Sequence, residues 1–120
     1  FEDWNNLDDL DLKHRMRLHQ HYASYRYLDY DLEKTNRMIL SFREKYSTDP
    51  DEYGVQGFDV GYYFLSALHL YGSDFGNYIH NHSLETVQNN FSFARKEESG
   101  RENLTTRIIE YSDYQLILKK

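Results

Sequence analysis

The chain has no cysteine among its 120 residues and a single proline, Pro50. The missing cysteines exclude disulfide bonds, thiol catalysis and zinc sites built on thiolates. Basic residues are also in the minority, since 14 lysines and arginines stand against 20 aspartates and glutamates, for a formal net charge of −6. Because this charge opposes attraction to phosphate backbones, we expect no nucleic-acid partner.

Signatures of catalysis are missing too. The segment from Gly54 to Gly57 lacks the lysine and the spacing of a phosphate-binding loop. Ser66 lies within an expected helix and has no nucleophile-elbow glycines around it. With no candidate acid/base pair either, we expect a protein that is not an enzyme and that uses no cofactor.

Aromatic side chains, in contrast, are abundant: the chain has 12 tyrosines and 7 phenylalanines. Since a buried tyrosine hydroxyl needs a partner or water, this composition predicts a core with wet edges. The length fits one domain. The chain opens at Phe1 with neither an initiator methionine nor a signal segment, so we interpret residues 1–120 as a single domain or a fragment of a longer protein.

A largely apolar stretch from Tyr53 to Gly72 predicts the central element of the fold. From Asp59 onward its apolar residues recur at steps of three and four, the spacing of a helix, and they fill most of the circumference. We expect a buried core helix that starts at Asp59 after a glycine-marked turn and ends at Gly72. Because Asp59, Ser66 and His69 interrupt it, the helix is too short and too polar to insert into a membrane.

The segments before this helix predict a strand and an amphipathic helix. Residues 16–27 alternate in polarity, as a strand does, and the strand should end near Ser24 or Tyr25. Asp31 is a suitable cap for a helix that runs to Tyr46 with one apolar face. The Thr-Asp-Pro-Asp sequence that follows predicts a loop.

The C-terminal third has the signals of an antiparallel meander. Residues 91–94 alternate in polarity and residues 105–111 are rich in β-branched side chains, so together they predict a hairpin around Gly100. A second turn at 111–114 should lead into a last strand at 115–118.

Between the core helix and this meander, Ser73 can cap a shorter helix from Asp74 to about His80. The sequence therefore predicts an α/β fold with an N-terminal strand, three helices and a C-terminal antiparallel meander.

Two histidine pairs suggest a metal site as one alternative. His19 and His21 would share a face of a strand, and the same spacing recurs at His80 and His82. The second pair, however, falls at an expected helix end, where a step of two does not bring side chains together. We therefore favour solvated or core-edge histidines and expect no metal site.

Asp59 also has two interpretations. Its carboxylate can cap the start of the core helix, which is the favoured one. Alternatively, this helix start and the strand end at residues 22–25 border a cleft in which polar and aromatic side chains grip a small ligand.

The order of these parts resembles the C-terminal portion of type I periplasmic binding proteins, the leucine-binding-like substrate-binding proteins of amino-acid ABC transporters. It is most similar to an envelope-associated branch whose members can carry peptidoglycan-binding LysM modules. Gly57-Phe58-Asp59-Val60 stands where the family has a Gly-Tyr-Asp-Ala-like helix start. The remaining resemblance rests on His-Tyr-Ala-Ser-Tyr at 21–25, Leu-Asp-Tyr at 28–30, Phe-Arg-Glu-Lys-Tyr at 42–46, Asp-Pro at 49–50 and the apolar run at 53–68.

This resemblance implies a partial lobe of a two-lobed fold that closes over its ligand by a hinge motion. It implies an exported, periplasmic or cell-envelope module that recognises an amino-acid-like ligand without catalysis. The alternative is a structural or protein-interaction module that has lost its small ligand and binds a cell-wall component. The expected partners also include the remainder of a longer parent protein and, through an open sheet edge, a second copy. The cleft candidates are Tyr22, Ser24, Tyr25, Gln56 and Asp59.

Overall fold

The computed structural model describes residues 11–24, 26–96 and 100–119. The chain divides into two compact units. The terminal unit comprises Phe1–Tyr27 and Thr106–Lys120, and the central unit comprises Leu28–Thr105. Helices and antiparallel sheets together account for most of the described residues, which confirms the mixed helix-and-sheet class.

In the terminal unit a helix overlaps the start of the predicted strand. Helix α1 spans Leu12–Arg17, with the Asp11 side chain accepting the Lys13 backbone N–H at 3.1 Å. Strand β1 is limited to His21–Ser24, so the prediction for residues 16–20 is wrong and the predicted strand end at Ser24 is confirmed. The prediction failed because the Asp11 cap stabilises a helix that extends to Arg17, although the residues from 16 onward alternate in polarity as a strand does.

Strands β4 and β5 complete the terminal unit. Strand β4 spans Arg107–Ser112 and β5 spans Gln115–Lys119. A turn joins them as predicted, but it comprises only Asp113 and Tyr114, whereas the prediction placed it at 111–114. The sheet order is β1-β4-β5, with both pairings antiparallel. Ile109 is buried on one face of the sheet and Glu110 on the other.

Two helices dominate the central unit. Helix α2 spans Glu33–Tyr46 as an amphipathic helix with Thr35 and Met38 buried. Its capping position is held by Leu32 without a side-chain hydrogen bond, so the predicted cap at Asp31 is wrong. The proline-containing loop that follows is confirmed.

Helix α3 spans Glu52–Tyr71, seven residues longer at its start than predicted. Asp51 caps it, with the carboxylate accepting the Gly54 N–H at 2.7 Å, so the glycines expected in a turn lie within the helix. The predicted end at Gly72, which has a φ of 63°, is confirmed. Asp59 is fully buried two turns inside α3, and the prediction that it caps the helix is wrong.

Short elements close the central unit. A 3₁₀ turn at Gly72–Asp74, helix α4 at Phe75–Tyr78 and a second 3₁₀ turn at Ile79–Asn81 replace the single predicted helix. Ser73 lies inside the first 3₁₀ turn and does not cap a helix.

Strand β2 spans Phe93–Lys96 and pairs with β3 at Gly100–Asn103 in a separate two-stranded sheet. The predicted pairing of residues 91–94 with 105–111 is therefore wrong, and the C-terminal strands form two sheets in place of one meander. Every residue of β3 is exposed, so its sequence has no alternation that could have marked it as a strand.

Candidate binding surface

The central unit is organised around the buried carboxylate of Asp59. One Asp59 oxygen accepts the backbone N–H of Val87 at 2.8 Å, and the other accepts the N–H groups of Gln88 and Asn89 at 2.7 Å each. A buried carboxylate is stable when several donors share its charge. Asp59 therefore ties the irregular segment 86–89, which is itself buried, to the middle of α3.

This segment forms one wall of a groove between α2 and α3. The groove has a volume of about 480 Å³. Its apolar floor comes from Met38, Val87 and the rings of Phe58 and Tyr62, which stack with centroids 5.8 Å apart. Because Asp59 fixes the backbone of Val87, the same hydrogen bonds that stabilise the core also set the shape of this wall.

The rim of the groove carries charges that are paired within the protein. Lys34 Nζ lies 2.6 Å from a Glu85 carboxylate oxygen, and Arg37 contacts Glu33 at 2.5 Å. Each pair includes at least one solvent-exposed side chain, and only Lys34 is half-buried, so each pair contributes little to stability. A charged ligand can therefore compete for these side chains at a small cost.

The apolar floor continues along α2 into a second hollow of about 370 Å³. The two hollows share Met38, Ser41 and Phe58, so they form one groove along the helix pair. Phe42 and Tyr46 line the far end, with ring centroids 4.6 Å apart.

The other notable surface is the solvent-exposed side of α3, which we call the α3 apolar face. None of the exposed residues on this face has an acidic or basic side chain apart from His69. A Cβ atom added at Gly57 or Gly61 would have no described heavy atom within 4 Å apart from the neighbouring residues and the backbone of α3 itself. The large exposed side chains of this face are Tyr53, Phe58, Val60, Tyr62, Leu65 and Leu68.

The opposite side of α3 packs into an aromatic core. Tyr63 is fully buried between Phe64, Phe91 and Phe93, and its hydroxyl donates to the carbonyl of His82 at 3.0 Å. Burial raises the pKa of the Tyr63 phenol, with a smaller contribution from Tyr71. The helix thus has one face packed in the core and one face exposed to solvent.

The histidines occupy unrelated environments. His82 is buried against the rings of Tyr63 and Tyr71, whereas His80 is exposed. His19 and His21 approach the buried Glu110, at 2.8 and 3.5 Å, and Lys119 also contacts this carboxylate. No group of three or more side chains suited to hold a metal ion occurs within 11–24, 26–96 and 100–119.

The five residues predicted to line a cleft fall in different settings. Tyr22 and Ser24 lie on β1 in the terminal unit. The Tyr22 ring centroid lies 5.8 Å from that of Tyr111. The Ser24 hydroxyl donates a hydrogen bond to the carbonyl of Arg26. Tyr25 lies outside the described residues. Gln56 is half-buried on α3, and Asp59 directs both oxygens at backbone N–H groups.

The sequence interpretation missed the groove and its wall. A single carboxylate within an apolar helix is a signal for a buried anchor, but it does not identify the partner segment 87–89, which lies 28 to 30 residues away. Helical periodicity predicts a buried core helix that includes Tyr62, because it does not distinguish an apolar face that is covered from one that is not. Phe58 falls in the predicted turn before that helix, whereas it lies within α3.

Among the helices of the described residues, none combines the length and the apolar composition of a membrane-spanning segment. No known family model, curated protein or solved structure matches the chain.

Proposed function

We propose that this chain is a non-enzymatic docking module whose α3 apolar face packs against an apolar protein surface. The single observation that carries the proposal is that a 20-residue helix, apolar nearly all round, is buried on one side only. Helices of this composition are normally covered on every side. Soluble proteins rarely expose contiguous apolar patches larger than a few hundred Å² outside their interaction sites.

The energetics favour coverage of this face. Its half-exposed aromatic and aliphatic side chains sum to an apolar area on the order of 500 Å². At about 25 cal/mol per Å², burying that area contributes on the order of 10 kcal/mol before the cost of association. Since the face carries no fixed charge to desolvate, the complementary surface is itself apolar and uncharged, such as the face of a sheet or an aliphatic helix.

The resemblance to type I periplasmic binding proteins supplies a setting for this docking. In that setting the chain is part of a lobe of such a fold, exported to the periplasm or cell envelope, and the α3 apolar face packs against the remainder of a larger parent protein. The same docking role is compatible with the envelope-associated branch of that family, whose members can carry peptidoglycan-binding modules.

Site-specific photo-cross-linking tests the proposal. A photoreactive amino acid replaces Leu65 on α3, and a control variant carries it at Leu40 on α2, because the two leucines are similarly exposed at 67% and 60%. In cells that produce the protein, mass spectrometry should identify one defined apolar peptide joined to position 65 and not to position 40. Equal labelling from both positions, or none from position 65, would count against docking through α3.

A second candidate function is recognition of an amino-acid-like small molecule in the groove between α2 and α3. The observation that favours it is the stacked pair Phe58 and Tyr62 beside Lys34 and Arg37. Aromatic rings and exchangeable ion pairs suit a ligand with an ammonium, a carboxylate and an apolar side chain.

A thermal-shift screen with amino acids and muropeptides distinguishes this candidate. A ligand that binds only the folded state raises the melting temperature, and the shift should disappear in a Phe58→Ala variant. If no compound stabilises the protein at millimolar concentration, the groove does not serve as a small-ligand site, and docking through α3 is unaffected.

A further inference from the structure

The outer edge of β5 is self-complementary, since its outward backbone groups can pair with those of the same edge in a second copy. Because β5 is the last strand in the order β1-β4-β5, no strand among the described residues lies on its other side within this sheet. The two-residue turn makes Ser112 and Gln115 a hydrogen-bonded pair, and such pairs alternate along an antiparallel ladder. Leu116 and Leu118 therefore direct their N–H and C=O groups away from β4.

Two observed hydrogen bonds agree with this alternation. The N–H of Tyr111, which lies opposite Leu116, donates to Gln20 on the β1 side at 3.1 Å. The Leu116 carbonyl accepts the Tyr27 hydroxyl at 3.3 Å, as expected of a carbonyl that is not bonded to β4. Among the described residues, no backbone group pairs with the outward N–H of Leu116 or Leu118.

We infer that β5 pairs antiparallel with β5 of a second copy of this chain, about a two-fold axis at Ile117. In this register Leu116 lies opposite Leu118 of the second copy, and the outward groups of these residues form four reciprocal backbone hydrogen bonds. The Leu116 carbonyl retains its second lone pair for this bond while Tyr27 occupies the first.

Side-chain chemistry favours the same register. Gln115 lies opposite Lys119 of the second copy, so no like charges face each other across the strands. Leu116 and Leu118 are 40% and 38% exposed on the sheet face that contains the buried Ile109. Pairing brings four leucines together and extends this apolar face across both copies.

The interface is small, since five residues from each copy meet. Interfaces below about 1,200 Å² are typical of weak, transient association, so the dimer should form in a concentration-dependent manner. Its residues belong to the terminal unit, and the inference does not depend on the role of α3.

The chain lacks cysteine, which allows a direct test by disulfide cross-linking. In an Ile117→Cys variant the two thiols face each other in a non-hydrogen-bonded pair with Cα atoms about 4.5 Å apart, within the range that a disulfide spans. In a matched Tyr114→Cys variant the two cysteines lie about 20 Å apart, at roughly 3.3 Å per residue along the paired strands.

Mild oxidation of the full chain should convert Ile117→Cys to a covalent dimer at least tenfold faster than Tyr114→Cys. Sedimentation equilibrium should show concentration-dependent dimerisation of the unmodified protein. A second variant, Leu118→Pro, should abolish that association, because it removes an outward N–H while sparing the hydrogen bonds between β4 and β5. A monomer at all concentrations, or equal cross-linking of both cysteine variants, would overturn the inference. A dimer that forms without cross-linking at position 117 would also overturn it, and would indicate association through another surface such as the α3 apolar face.

Discussion

Asp59 and Asn89 lie 30 residues apart in the chain, and the carboxylate of Asp59 accepts the backbone N–H of Asn89 at 2.7 Å. The same carboxylate also accepts the backbone N–H groups of Val87 and Gln88. Asp59 is therefore the acceptor for three backbone donors of one buried segment. The contact therefore links the stability of α3 to the shape of the groove beside it.

Replacing Asp59 with alanine should destabilise the central unit by about 3 kcal/mol or more, since each buried donor left unpaired costs about 1–3 kcal/mol. Asp59→Asn should cost less, because the amide retains one acceptor oxygen. Urea denaturation followed by circular dichroism measures both changes. The matched control is Asp51→Ala, which removes an exposed helix cap and should cost about 1 kcal/mol. An Asp59→Ala variant as stable as this control would contradict the anchoring role.

Alkaline pH should destabilise the protein through Tyr63. Burial raises the pKa of this phenol in the folded state above its ordinary value of about 10. A raised folded pKa means that the stabilisation is fully present below the unfolded pKa and is lost as the pH rises through the folded pKa.

The Tyr63→Phe variant isolates this effect, because every other tyrosine is present in both proteins. The difference in the free energy of unfolding between the parent and the variant should be constant below pH 9 and should fall above about pH 10. A difference that stays flat to pH 11 would show that the Tyr63 pKa is not raised.

The turn between β4 and β5 offers a stabilising substitution. Asp113 and Tyr114 both have positive φ, at 46° and 63°, and tyrosine occupies this region at a cost of about 1–2 kcal/mol. Because Asp-Gly is a favoured pair for such a turn, Tyr114→Gly should stabilise the protein by about 0.5–1 kcal/mol, after the added freedom of the unfolded chain is subtracted. Differential scanning calorimetry should show a higher melting temperature, and a lower one would mean that the Tyr114 side chain has a stabilising role.

Helical periodicity identified α2 and α3, but the start of α3 was not predictable from it. Asp51 and Asp59 are both acidic residues at the border of an apolar run, and a cap and a buried anchor look alike in sequence. Only the distant segment 87–89 distinguishes them, because its N–H groups need the Asp59 carboxylate.

Strand pairing could be predicted where a local turn determines it, and the prediction was wrong where no local signal marks the partner strand. The turn at Asp113 and Tyr114 brings its two flanking strands together, so the hairpin of β4 and β5 could be predicted. The partner of β2 could not, because β3 is exposed throughout and has no alternating polarity. The groove was missed for a related reason, since periodicity marks an apolar face without showing what covers it.

The central claim is that the α3 apolar face is covered when the protein is in its native setting. Leu65→Cys places a single thiol on this face, and Leu40→Cys places one at similar exposure on α2. The measurement is the rate of maleimide alkylation at each cysteine, quantified by mass spectrometry, first in the purified chain and then in cells that produce the protein. Docking predicts that the cellular setting slows alkylation at position 65 by at least tenfold relative to position 40, whether the covering surface belongs to the same polypeptide or to another protein. Equal relative rates in the purified chain and in cells would contradict the claim.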